Sequence, residues 1–185
     1  MMKNYARLLF EANHLKKTPR SGFAFLGAGK ESVAEHSFST TFIAFLLSKI
    51  EPQADPLRLI TMCLVHDLPE SRIGDINYVQ KKYVTADESE ALKDCCGDIP
   101  VGSDIEALIS EFNKGESLEA QLAWDADQVA LIVELKTLLD IGYDPPQKWI
   151  PHVLGRIKTD AGKQLTETIL NTDWDEWWFQ NYIDR

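Results

Sequence analysis

Apolar residues recur at helical spacing along most of the chain. Tyr5, Leu8, Leu9 and Ala12 form a first stripe. The stretch "TPRSGFAFLGAGKES", with Pro19 and three glycines, breaks the pattern and reads as a loop. "ESVAEHSFSTTFIAFLLSKI" then reads as a long, mostly buried helix that ends before Glu51-Pro52. Asp55 and Pro56 suit the N-cap and first-turn positions of the next helix. That helix runs through Leu57, Ile60, Met62, Leu64 and Val65 to His66-Asp67. Leu68 precedes Pro69, so the helix is expected to end or bend there.

"NYVQKKYVTADESEALKDCC" is polar and predicts a loop followed by a short helix. "SDIEALISEFNKG" offers Ser103 or Asp104 as a cap and Gly115 as a stop. "SLEAQLAWDADQVALIVELKTLLDIG" is the strongest helix in the chain, capped by Ser117 and closed by Gly142 in the left-handed region. After the "DPPQKW" turn, "WIPHVLGRIKTDAGKQLTETIL" and "DWDEWWFQNYI" read as two closing helices, the first starting just before Trp149. No strand, repeat or linker stands out. The expected fold is all-α, a single-domain helical bundle over 1–185, with a motif-bearing core about 14–141 and closing helices about 147–183.

Composition narrows the chemistry. The hydrophobic fraction of 44% and five Trp are those of a folded protein. Acidic residues outnumber basic ones, 29 to 19, for a formal charge of -10. That argues against nucleic acid or an anionic membrane as partner. An anionic substrate would need a local cation. Cys63, Cys95 and Cys96 form no C-x-x-C and suggest a reduced chain without a disulfide framework. "MMKNYARLLFEANHLKK" has no signal-peptide core, and no apolar run approaches ~18 residues. A cytoplasmic location is expected.

One segment needs compensation. "LITMCLVHDLPESRIGDI" carries an apolar helix into His66, Asp67, Glu70 and Asp75. Burying charges costs several kcal/mol unless they are paired or bound to a metal. Adjacent helical residues point about 100° apart, but at a helix end they can converge on one ion. Imidazole with carboxylate suits a transition metal better than calcium. Further ligands must come from elsewhere; His36 and the acids of "AWDADQVAL" are on offer. There, Asp125 and Asp127 interrupt an apolar helix, and two residues apart they point to opposite sides.

"AEHSF", "LVHDLPE", "GDI" and "DADQ", in this order, resemble the HD-domain metal-dependent phosphohydrolases, and more closely the YfbR-type 5′-deoxynucleotidases. The match extends to "LKKTPRSGF" and "SEFNKGESLEAQLAWDADQ". The resemblance implies a helical bundle with one divalent metal ion (Co, Mn, Fe, Zn or Mg). Its ligands would be His36, His66, Asp67 and Asp127. It further implies Glu70 and Asp75 as the catalytic acids, Arg20 as the residue that meets the substrate phosphate, and Glu111 as a contact to the nucleoside. The bacterial prototype has an Arg-Trp pair where this chain has Arg20-Ser21, so an aromatic platform for the sugar is either missing or supplied by Phe23.

The implied activity is release of the 5′-phosphate from (deoxy)nucleoside monophosphates. The alternatives are another nucleotide substrate, such as an alarmone or cyclic nucleotide, and a helical regulatory module with a structural metal. Lys81, Lys82 and Tyr83 read as a solvated loop, Cys95-Cys96 as packing residues, and His14 and His152 as ordinary hydrogen-bonded residues. Trp174, Trp177, Trp178, Phe179 and Tyr182 predict a terminal helix docked on the core or on a partner subunit. The family resemblance implies a homodimer or a higher even oligomer.

Overall fold

A computed structural model describes residues 1–183. Asp184 and Arg185, the last two residues of the expected single domain, lie outside the described residues. The chain forms twelve α-helices among the described residues: α1 (Met2–His14), α2 (Phe23–Leu26), α3 (Val33–Ile50), α4 (Pro56–Val65), α5 (Glu70–Ile73), α6 (Tyr78–Lys81), α7 (Glu88–Cys96), α8 (Gly102–Lys114), α9 (Leu118–Asp140), α10 (Pro146–Leu154), α11 (Asp160–Leu170) and α12 (Glu176–Ile183). An isolated bridge, Pro19 to Ser32, closes the loop that holds α2. The fold is all-α, as the apolar periodicity requires. No helix among the described residues is long and apolar enough to cross a membrane.

Local chemistry sets the helix starts. Ser32 and Glu35 form a reciprocal capping box at the head of α3. Asp55 caps α4 with Pro56 at its first position, and the Ser117 hydroxyl accepts from Ala120 N–H at the head of α9. α9 is 23 residues long and forms the axis of the bundle. Helices α3, α4, α8, α10 and α11 all pack on it. Leu47, Leu59, Met62, Leu122, Ala126 and Val129 fill the space between α3, α4 and α9, each fully buried. A second apolar group, with Val33, Leu68, Leu92 and Cys96, joins α1 and α7 to α8. A third, with Phe23, Ile132, Leu135 and Ile150, seats α2 and α10 against the far half of α9.

Two expectations need correction. Helix α8 begins at Gly102 after Val101, before the expected caps Ser103 and Asp104. The reason is a close approach: a Cβ on Gly102 would strike the Cys96 carbonyl, so α8 starts where glycine lets it abut the end of α7. The segment after Asp144 forms three helices, not two. α10 starts at Pro146 and ends at Leu154, capped by Gly155, and Thr159 caps a separate α11. The aromatic end is partly exposed, Trp177 at 76% and Phe179 at 45%, while Trp174 N–H donates to Asp140 at the end of α9.

Candidate metal centre

Three helices bring the histidines and acids together. α3 turns His36 inward, where it is fully buried. α4 ends at Val65, and His66 stands at its C-terminal boundary. The chain then turns tightly, Leu68 N–H donating to the Val65 carbonyl, and this brings Asp67 back beside His66. His66 Nε2 and Asp67 Oδ2 are 3.2 Å apart. α9 supplies Asp127, whose Oδ1 lies 2.8 Å from His36 Nε2. His36 Nε2 is also 3.8 Å from Asp67 Oδ2. One ligand atom from each of His36, His66 and Asp67 fits within 4.8 Å of the others.

The donor set fits a divalent cation. His66 Nδ1 lies 2.7 Å from the Cys63 carbonyl, which can only accept, so the ring proton sits on Nδ1. His66 Nε2 therefore presents a lone pair toward Asp67. Both His66 Nε2 and Asp67 Oδ2 are buried without a hydrogen-bond partner. A nitrogen lone pair facing carboxylate oxygens is unfavourable until a cation stands between them. Neutral imidazoles with carboxylates are the ligands of first-row transition metals and zinc.

Arg20 faces the same acids. Its guanidinium lies 3.5 Å from Asp67, 3.8 Å from Asp127 and 3.9 Å from Glu31. Burial opposes its charge, but Asp127 and Asp67 outweigh this and hold its pKa above the ordinary value. Burial likewise works against the Asp127 carboxylate. The hydrogen bond with His36 and the charge of Arg20 overcome it and hold Asp127 well below the usual range. Glu70 behaves in the opposite way. Burial, then the charges of Asp67 and Asp75, push it up to about 9, and its Oε2 is buried without a partner. Burial pushes Glu31 up to about 7.

The remaining residues fall into place around this cluster. Asp75 accepts a 2.7 Å hydrogen bond from Ser21 N–H and so anchors the turn that carries Arg20. Glu111 is not drawn into the cluster. It accepts from Arg58 and from the Ser117 hydroxyl, the latter at 2.6 Å. Its neighbour Phe112 does reach the centre, with its ring 5.0 Å from that of His66. Asp125 is fully buried and points the other way. It accepts from Lys158 N–H, Thr159 N–H and the Thr159 hydroxyl at 2.7, 2.8 and 2.6 Å. Phe23 packs with Ile132 and Leu135 in the core and also lines an open pocket with Gly27 and Glu31. Lys81, Lys82 and Tyr83 are exposed, as read from the sequence. Sequence reasoning missed Glu31, Thr40 and Phe112. Thr40 had a usable signal: it stands one helical turn beyond His36, and its hydroxyl lies 3.3 Å from His36 Nε2.

Comparison with known proteins adds a family to this geometry. The HD-domain profile matches residues 12–169. The chain is 30% identical over 147 residues to the 5′-deoxynucleotidase HDDC2 of Dictyostelium discoideum, covering 72% of this chain and 76% of that protein. It is 29% identical over 133 residues to the 5′-deoxynucleotidase hdd1 of Schizosaccharomyces pombe, covering 66% of each chain, so the match spans just under two thirds of that relative. A conserved hypothetical protein of Pyrococcus furiosus superposes with a TM-score of 0.76 at 27% identity, over 89% of this chain and 98% of that one. The histidine-and-aspartate centre between α3, α4 and α9 thus sits in a chain that belongs to the HD-domain family.

Proposed function

We propose that the chain is a metal-dependent phosphohydrolase that removes the 5′-phosphate of deoxynucleoside monophosphates. One observation carries this: His36, His66, Asp67 and Asp127 meet, with unpartnered ligand atoms on His66 and Asp67, beside the guanidinium of Arg20. The relatives named 5′-deoxynucleotidase point to the same reaction. His36, His66, Asp67 and Asp127 would hold one divalent ion, of the set Co, Mn, Fe, Zn and Mg. When bound, such an ion supplies Lewis-acid polarisation of a phosphoryl oxygen and activates water.

The chain's own residues do the rest. Arg20 presents a planar fork to the phosphate, a geometry suited to two parallel hydrogen bonds. Asp75 holds that fork in place through Ser21 N–H. In hydrolysis the oxygen of water bonds to phosphorus and the bond to the 5′ oxygen breaks. One proton ends on the leaving 5′ oxygen, giving a nucleoside and inorganic phosphate. Glu70, one turn beyond Asp67 with a buried, unpartnered carboxyl oxygen, moves that proton. Glu111, held by Arg58 and the Ser117 hydroxyl outside the cluster, is kept for the nucleoside on the family resemblance alone.

The same reading places the enzyme in the cytoplasm, in keeping with three free, buried cysteines, and makes it a homodimer or higher even oligomer. Exposed Phe38, Phe42 and Phe45 along α3 offer apolar surface for such pairing.

The test is phosphate release from a panel of nucleoside 5′- and 3′-monophosphates, using apoprotein reloaded with single metals. Release is expected from the 5′-deoxynucleotides and not from the 3′ isomers. Glu70→Ala is expected to keep the metal and lose most turnover. No release with any metal would overturn the proposal.

A further inference from the structure

The two central imidazoles are supported differently. His66 Nδ1 has a carbonyl at 2.7 Å, so its tautomer is fixed by the backbone. His36 Nδ1 is buried and has no hydrogen-bond partner. The group that faces it is the Glu31 carboxylate, whose Oε2 lies 3.8 Å away, within ion-pair reach but longer than a hydrogen bond. The same oxygen lies 3.9 Å from Arg20 Nε. Only 7% of the Glu31 side chain is exposed. Its backbone is engaged too: Arg20 N–H donates to the Glu31 carbonyl at 2.8 Å, next to the Pro19–Ser32 bridge.

A buried carboxylate is expensive without donors. What it faces is the far side of one imidazole and the inner side of one guanidinium. His36 Nε2 points at Asp127 and Asp67, so a cation held there needs the lone pair on Nε2 and the proton on Nδ1. That proton then points at Glu31.

We infer that Glu31 is a positioning residue that fixes the His36 tautomer and the stance of Arg20 through one carboxylate. Glu31 touches neither the cation nor the phosphate in this scheme; it acts through His36 and Arg20. The inference rests on the reading of His36 as a metal ligand.

The test compares wild type, Glu31→Gln and Glu31→Ala. Cobalt(II) affinity is measured by competition with a chelator, imidazole ¹⁵N spectra are recorded on the zinc-loaded proteins, and KM and kcat are measured for a nucleoside monophosphate. Glu31→Ala is expected to lose about 10–100-fold in metal affinity, the range for partners behind a ligating histidine. Its His36 spectrum should lose the single Nδ1–H form. Glu31→Gln keeps an acceptor oxygen for Nδ1–H but loses the charge beside Arg20. It should recover most of the metal affinity and the His36 tautomer, yet show a raised KM with a nearly unchanged kcat.

The isosteric Gln variant carries the test if the Ala variant fails to fold. Glu31→Gln matching wild type in affinity, spectrum and KM would overturn the Arg20 half. Glu31→Ala with wild-type affinity and tautomer would overturn the His36 half. A wild-type protein that binds no cobalt or zinc would instead strike the metal-site reading itself.

Discussion

Asp125 and Asp127 stand two residues apart on α9 and face different worlds. On the α11 side, Asp125 is fully buried and takes hydrogen bonds from three donors, all from Lys158 and Thr159. On the α3 and α4 side, Asp127 shares one imidazole and one guanidinium with Asp67. Around it lie buried nitrogen and oxygen atoms with no hydrogen-bond partner. A buried charge whose donors are complete is part of the fold. A buried cluster whose donors are incomplete is built for something that arrives later.

That contrast can be broken from either side. The largest effect is expected from Asp127→Ala. It should lower kcat/KM by more than ~1000-fold, about 4 kcal/mol in the transition state. Bound metal falls with it, while the melting temperature of the apoprotein changes by only a few degrees. Asp125→Ala should do the reverse. It strips a buried set of donors of their acceptor, at a cost of about 3–5 kcal/mol. The melting temperature should then fall by roughly 10 °C or more, with metal per folded chain preserved. Equal losses of stability in both variants would erase the distinction.

Arg20→Ala sharpens the Asp127 side. Loss of a charged hydrogen-bonding group costs about 1.5–3 kcal/mol, read as a KM raised roughly 10- to 100-fold with the metal still bound. Gly162→Ala sharpens the other side with the smallest effect. A Cβ there would press into the Asp125 carboxylate, so about 1–3 kcal/mol of overpacking is expected, with turnover per folded molecule intact.

Much of this was legible because it is local. Asp55-Pro56 marks the head of α4 and Ser117 that of α9, since a cap acts within a few residues. His66-Asp67 before Pro69 marked a helix end with converging ligands. What could not be read depends on distant neighbours. Gly102 starts α8 because the Cys96 carbonyl leaves no room for a side chain. The break between α10 and α11 is held by Asp125, more than thirty positions upstream. Glu31, in a Lys-Glu-Ser turn, has the local signature of a solvated residue. Only the folding of the Arg20 loop over it removes it from water. Phe23 offered an aromatic ring beside the site in sequence, and the apolar demand of α9 claimed it.

The bond between Asp125 and the head of α11 also bears on where this protein can be cut. All the residues of the proposed centre precede Gly142, so a fragment ending there would hold every ligand. It would also hold Asp125, a carboxylate on the central helix with its three donors gone. Cutting there would also uncover the apolar side of α9 that Ile150, Val153, Ile157 and Ala161 help to bury. The closing helices are therefore a condition for the centre's geometry, and the smallest autonomous unit extends at least through α11.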